Sequence, residues 1–201
     1  DSGMSLSVTS GDYVYFVDLE IYDTHSEDDD FKWYLDGGDL DFISTALSSD
    51  GEYVVASIWG GEEPGGYQNP EIRLWNRDSS NDEWTKELDG NATTLAISAN
   101  GEYIVAGCDD DKVYLFDKDS STPLWSYDTG ADVTSVSISA SGQFILAGQE
   151  EGELFLFNKN SGTPLWNYTN TGGSSFVSVE ISKDGDIISA TGEDDKVYVF
   201  N

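Results

Sequence analysis

Thr93 to Gly130 reads TTLAISANGEYIVAGCDDDKVYLFDKDSSTPLWSYDTG, and its turn chemistry divides it into four short β-rich runs. Leu95 and Ile97 alternate with small or polar neighbours, and Asn100-Gly101 then supplies the pair that tight hairpins use for positive φ. Tyr103 to Ala106 is a second run. Asp109-Asp110-Asp111 turns the chain into a third, Val113 to Phe116, and the polar run from Asp117 turns it into a fourth around Leu124-Trp125-Ser126-Tyr127. Four antiparallel strands in so short a span predict one blade of an all-β propeller.

The same landmarks recur along the chain. A glycine before the second strand stands at Gly11, Gly51, Gly101, Gly142 and Gly185, at steps of 40, 50, 41 and 43 residues, close to the ~40–45 period of propeller repeats. The third strand is expected to end at Ile21-Tyr22-Asp23, Leu74-Trp75-Asn76, Leu115-Phe116-Asp117, Leu156-Phe157-Asn158 and Val199-Phe200-Asn201. Eight residues beyond the first four of these Asp or Asn residues stands an aromatic, Phe31, Trp84, Trp125 or Trp166, expected on the fourth strand. The repeats predict a single β-propeller domain over 1–201, with blades near 4–37, 43–90, 93–130, 133–172 and 176–201. The first blade reads as four-stranded with an abbreviated second hairpin, and the last as three-stranded. Two architectures fit: a five-bladed ring with a three-stranded last blade, or a fragment of a larger propeller. The open edge of blade five is a surface for self-association.

The aliphatic-aromatic-Asp/Asn triplets resemble the Trp-Asp position of WD40 repeats. Pro123-Leu124-Trp125-Ser126-Tyr127 and Pro164-Leu165-Trp166-Asn167-Tyr168 are similar to the tryptophan motif of quinoprotein-like (PQQ-like) propellers. Archaeal propeller arrays resemble this hybrid. Asp89-Gly90 and Thr129-Gly130 stand where WD40 repeats have Gly-His, and the one histidine, His25, lies in a different turn. The resemblance implies a non-catalytic scaffold that binds a protein or small ligand. It implies no cofactor, since the shared tryptophans dock one blade on the next.

Charge narrows the partners. With 39 Asp and Glu against 9 Lys and Arg, the formal net charge is −30, which repels nucleic acid phosphates and anionic headgroups. No apolar run approaches the ~20 residues that cross a bilayer, so no membrane insertion is expected. Uncompensated carboxylates predict a melting temperature that rises with NaCl, and a constant or falling value in a salt series contradicts this. Beginning at Asp1, the chain reads as a processed form or an excised piece, either compatible with an extracellular or cell-surface location. Cys108 stands alone and reads as a buried small hydrophobe.

One irregularity suggests a binding site. Gly51 to Asn76 spans 25 residues where Gly101 to Asp117 spans 16, which places extra residues in Trp59 to Pro70. Trp59 and Tyr67 offer flat apolar surfaces, Gln68 and Asn69 offer donors and acceptors, and Pro64 and Pro70 limit freedom. The alternative is an ornamental loop with Trp59 packed on its own blade. In a propeller this turn shares a face with the links between blades, where recognition residues gather.

Chemistry beyond binding finds less support. One His and one Cys do not make a nucleophilic triad or a zinc site, and no enzyme is expected. A carboxylate-dependent glycan hydrolase is the alternative that the acidic composition leaves open. So is a calcium-binding surface propeller, with Asp117, Asp119, Asp109 and Asp111 as candidate ligands. The competing reading of the Asp117 turn is an Asx turn closed on its own backbone.

Overall fold

The computed structural model describes the backbone of residues 4–10, 13–19, 31–36, 41–63 and 66–201, and the side chains of 41–61 and 69–201. No helix occurs among the described residues. Sheet one holds β1 (Met4–Ser10), β2 (Tyr13–Leu19) and β3 (Phe31–Asp36). Sheet two holds β4 (Phe42–Leu47), β5 (Tyr53–Ile58), β8 (Glu71–Asn76) and β9 (Asp82–Glu87), with the ribbon β6 (Gly61–Glu63) and β7 (Gly66–Gln68) inserted between β5 and β8. Sheet three is β10 (Ala92–Ile97), β11 (Tyr103–Cys108), β12 (Lys112–Asp117) and β13 (Trp125–Asp128). Sheet four is β14 (Val133–Ile138), β15 (Phe144–Gln149), β16 (Glu153–Asn158) and β17 (Ser161–Thr169). Sheet five is β18 (Phe176–Ile181), β19 (Ile188–Gly192) and β20 (Val197–Phe200). Strands follow chain order in every sheet, as in propeller blades, and the last blade has three strands.

Burial on both faces explains why the second strands read as continuous apolar runs. Along β11, Ile104 and Ala106 pack toward sheet two, with Val55, Ile72 and Leu74. Val105 between them packs toward sheet four, with Val133, Ile145 and Phe157. Sheets four and five meet in the same way, Leu146 and Leu154 lying against Phe176, Val179 and Ala190. A strand buried on both faces has no solvent side, so its sequence need not alternate.

First strands of successive sheets lie side by side, β4 on β10, β10 on β14 and β14 on β18. Small hydroxyl residues join them. Thr93 Oγ1 donates to the Val133 carbonyl at 2.9 Å, and Thr134 Oγ1 donates to the Phe176 carbonyl. In return Thr94 Oγ1 accepts the Val136 N–H at 3.3 Å, and Ser135 Oγ accepts the Val179 N–H at 3.0 Å. Valine is isosteric with threonine but could form none of these bonds.

The fourth strands dock each sheet on the next. The Trp84, Trp125 and Trp166 rings stand 5.7, 5.1 and 5.1 Å from Phe116, Phe157 and Phe200 of the following sheet. Trp84 Nε1 also donates to the Lys118 carbonyl at 2.7 Å, and Trp125 Nε1 to the Lys159 carbonyl at 2.9 Å.

Each first hairpin closes through a serine that the glycine pattern alone does not reveal. Ser98 Oγ accepts the Tyr103 N–H at 3.0 Å, and Ser48, Ser139 and Ser182 accept the Tyr53, Phe144 and Ile187 N–H groups in the same way. Gly101 takes φ +72° while Asn100 does not take positive φ, so the Asn-Gly pair sits in a longer loop rather than a two-residue turn. The loop also packs tightly. A Cβ on Gly101 would stand 2.5 Å from the Tyr53 ring of the preceding sheet. Successive loops are tied by backbone, Ala99 N–H to Ala140 O at 3.1 Å and Ala140 N–H to Lys183 O at 3.0 Å.

Sheet one departs from expectation. Its third strand is Phe31–Asp36, with Tyr13 opposite Asp36 as Tyr53 is opposite Asn76 and Tyr103 opposite Asp117. Phe31 therefore belongs to the third strand and not to a fourth, and among the described residues the sheet has three strands. The Ile21-Tyr22-Asp23 triplet lies outside the described residues. Gly11 to Asp36 spans the same 25 residues as Gly51 to Asn76, so the stretch between the second and third strands of the first repeat is lengthened rather than abbreviated.

Among the described residues, the outer face of sheet five is exposed. Val197 and Val199 are 71% and 66% exposed, whereas Val113 and Leu115 at the matching positions of sheet three are fully buried.

Candidate functional site

The ribbon face is built where second turns meet the links between sheets. Backbone bonds fix this arrangement: Trp59 N–H to Asp41 O at 2.8 Å, Asp109 N–H to Asn91 O, Glu150 N–H to Asp132 O and Glu193 N–H to Ser175 O, each at 3.0 Å. The insertion is thus not an irregular loop. Gly61 pairs with Gln68, Glu62 with Tyr67 and Glu63 with Gly66. Two glycines permit close packing at its base, since a Cβ on Gly60 would stand 2.3 Å from the Pro70 ring and one on Gly61 would lie inside the Trp59 ring. Trp59 rests on this backbone and stays 40% exposed, and Asn69 is exposed beside buried Pro70.

The base is tied to the neighbouring sheet. Asn91 Oδ1 accepts the Gly60 N–H at 2.8 Å, while Asn91 gives its own N–H and Nδ2–H to the two Asp109 oxygens at 2.6 and 2.9 Å. Leu88 N–H donates to the Pro70 carbonyl at 2.8 Å. The ribbon therefore stands on a braced platform that spans sheets two and three.

Two of the acidic turns on this face share a cluster. Asp110 Oδ2 accepts Lys112 Nζ at 2.9 Å and the Tyr114 hydroxyl at 2.6 Å. Asp194 Oδ2 accepts Lys196 Nζ and Tyr198, both at 2.7 Å. Sheet four has Glu151, Glu153 and Phe155 at these positions and forms no such cluster. The hydrogen bond from Lys196, followed by that from Tyr198, holds the Asp194 carboxyl down to about 2. Burial, then the Asp110 hydrogen bond, pushes the Tyr114 phenol up. Asp132, unlike Asp194, is raised, first by desolvation and then by the charges of Glu150, Asp111 and Asp109. Cys108 is fully buried, and burial followed by the charges of Asp110 and Asp109 raises its thiol far above the usual range.

Of the four candidate ligand-binding residues, Trp59 and Asn69 lie at the two feet of the ribbon, and the Tyr67 and Gln68 backbones lie on β7. The side chains of Tyr67 and Gln68, and Pro64, lie outside the described residues. The candidate calcium residues are not gathered. Asp117 Oδ1 accepts the Asp119 N–H at 3.0 Å and Lys118 Nζ contacts Asp119 at 2.8 Å, so this turn is an Asx turn with a cation over it. Asn76 and Asn158 close the equivalent turns. Asp109 is engaged with Asn91, and Asp111 takes φ +66° while its carbonyl accepts from Thr129. Among the described residues no three His, Cys, Asp or Glu side chains converge on a metal position.

No curated protein matches the chain. Strand order, the docking tryptophans and the repeated turns are those of a PQQ-like propeller, and residues 38–201 match the family model described as "Outer membrane protein assembly factor BamB". The chain belongs to that family of PQQ-like propeller repeat proteins.

Proposed function

We propose that the chain is a non-catalytic recognition module that binds polypeptide partners through the ribbon face. The braced ribbon carries this reading. A two-stranded projection with exposed Trp59 and Asn69 at its feet stands on a platform that cannot yield without breaking the Gly60–Asn91–Asp109 bonds. An exposed aromatic on a pre-ordered base loses little conformational entropy on binding. The family is named for an outer membrane protein assembly factor, a task of contact between proteins, and that name supports a location at the cell surface or outside the cell. Net charge of −30 favours partners with basic segments.

Selection of a displayed peptide library tests the proposal. One target is the protein itself, the other a variant whose residues 59–70 are replaced by the three-aspartate turn of sheet three. Peptides enriched on the first target alone, slowing hydrogen exchange at 61–63 and 66–68, are expected. Equal enrichment on both targets, with the variant folded by circular dichroism, would discard the ribbon as the binding element.

A further inference from the structure

Asn100-Gly101 is the one Asn-Gly pair in the sequence. Glycine at the second place leaves its main-chain nitrogen unshielded, and that nitrogen is the nucleophile in intramolecular attack on an asparagine amide. Asn100 is exposed in the first-hairpin loop of sheet three.

The closed loop holds the two groups out of reaction. Gly101 N–H donates to the Ser98 carbonyl at 2.9 Å, while Asn100 Oδ1 accepts the Ser98 hydroxyl at 2.9 Å and the Glu102 N–H at 3.3 Å. The nitrogen is committed to one acceptor and the amide is pinned by two donors. Ser98 is fully buried, so its hydroxyl has no solvent to turn to. Attack requires the nitrogen to leave its acceptor and the amide to turn toward it, so the loop must open first.

Other repeats show how the loop receives the product. Asp50 and Asp184 stand at the same place, each before its glycine. Asp50 Oδ1 accepts the Ser48 hydroxyl at 2.5 Å and the Glu52 N–H at 3.1 Å, and Asp184 Oδ1 accepts the Ser182 hydroxyl at 2.5 Å and the Asp186 N–H at 3.2 Å. A carboxylate thus makes the same two bonds as Asn100, with the hydroxyl closer, as charge assistance predicts. The Ser182 hydrogen bond, followed by that from the Asp186 N–H, holds the Asp184 carboxyl below the ordinary carboxylate range.

We propose that Asn100 is a self-modification site gated by this loop: it deamidates when the loop opens, and the aspartate product lets the loop close again while the isoaspartate product does not. In the open loop the Gly101 nitrogen gives its proton to solvent and bonds to Asn100 Cγ, the Cγ–Nδ2 bond breaks, and ammonia leaves after taking a proton from water. Water then opens the cyclic imide. Opening at Cγ gives aspartate. Opening at the main-chain carbonyl carbon gives isoaspartate, whose backbone runs through Cβ and Cγ and is longer by one carbon. The closed loop has no room for that carbon. Gly101 holds φ +72°, a Cβ there would already stand 2.5 Å from the Tyr53 ring, and Ala99 N–H must still reach the Ala140 carbonyl at 3.1 Å.

Peptide mapping by mass spectrometry, on protein held in warm and mildly alkaline buffer, reads the products at position 100. The reference is the free peptide of residues 97–104, ISANGEYI. The protein is expected to react about tenfold or more slowly than the peptide, since the loop is rarely open. Ser98→Ala, which releases the amide, should recover most of the peptide's rate, whereas Ser48→Ala, which loses the matching bond in sheet two, should leave position 100 unchanged. Asn100→Asp is expected to melt at or above the temperature of the unaltered protein in high salt, where the added charge is screened. Limited proteolysis of the reacted sample should remove the isoaspartate form first. Equal rates in protein and peptide, no faster reaction in Ser98→Ala than in Ser48→Ala, a lower melting temperature for Asn100→Asp, or proteolysis that spares the isoaspartate form overturns the proposal. The peptide comparison and the Asn100→Asp melt use no serine variant, so they decide it even where Ser98→Ala fails to fold.

Discussion

Sheets three and five carry nearly the same third strand, KVYLFD from Lys112 and KVYVFN from Lys196, in opposite surroundings. In sheet three, β12 lies between two strands with sheet four over its face, and Val113 and Leu115 are fully buried. In sheet five, β20 is an edge strand, and Val197 and Val199 are more than half exposed. Burial here is a property of the neighbour and not of the residue. An apolar position in a repeat therefore reports where a neighbouring strand belongs.

The largest expected difference follows directly. Leu115→Ala should cost about 3 kcal/mol, as buried leucine truncations do, whereas Val199→Ala should stay within about 0.5 kcal/mol, as at a surface position. Urea midpoints of the two variants measure this, and equal losses would break the contrast. Next is backbone geometry. Gly130→Ala meets positive φ in open space and should cost about 1 kcal/mol. Gly101→Ala meets positive φ and the Tyr53 ring together and should cost about 2 kcal/mol or more, partly relieved in a Tyr53→Ala background. Thermal melts of the wild type, the three single variants and the double variant decide it.

The docking tryptophans give a smaller contrast. Trp125→Phe removes a hydrogen bond to the Lys159 carbonyl that has no counterpart at Trp166 among the described residues, so it should be the more destabilising of the two replacements by about 1 kcal/mol. Chemical denaturation of both variants compares them.

The smallest effect is titration of the Asp194 cluster. Its carboxyl is lowered to about 2 in the folded protein, chiefly by the Lys196 hydrogen bond. The stability it lends is present above the unfolded value near 3.9 and is lost as pH falls from there through about 2. Carboxyl NMR titration should place Asp194 near the lower value and shift it upward in Lys196→Met; no upward shift in the variant would sever the link to Lys196.

Much of this fold is legible because each repeat writes it again. Four copies of the turn glycine and the aliphatic-aromatic triplet coincide with observed elements in sheets two to five, and three fourth-strand tryptophans do so in sheets two to four. Sheet one departs from the pattern for a physical reason: Ile21-Tyr22-Asp23 imitates the triplet in sequence, while the third strand ends in Leu35-Asp36 and lacks its aromatic at the usual place. The 25-residue spacing shared with the second repeat was the available signal. Trp59 and Asn69 could be singled out by insertion length, but the bracing could not. It depends on Asn91 meeting Asp109 eighteen residues away, and nothing in the spacing of an asparagine and one aspartate among many marks that pair. The Ser-x-Asp/Asn-Gly turn was present in the text, and serine is so ordinary there that its capping role emerges only with the hydrogen bonds.

The bonds between successive first-hairpin loops set a rule for sequence drift. Residues 99 and 140 hold neighbouring repeats together through main-chain atoms alone, so nearly any amino acid can occupy either position without loosening that rim. Proline is the exception, since it brings no N–H to donate. The opposite rim depends on particular side chains, Asn91, Thr129 and Asn170 among them. Positions 99 and 140 can thus drift over evolutionary time, while the serines and glycines beside them, like the side chains of the opposite rim, must stay to keep the shape.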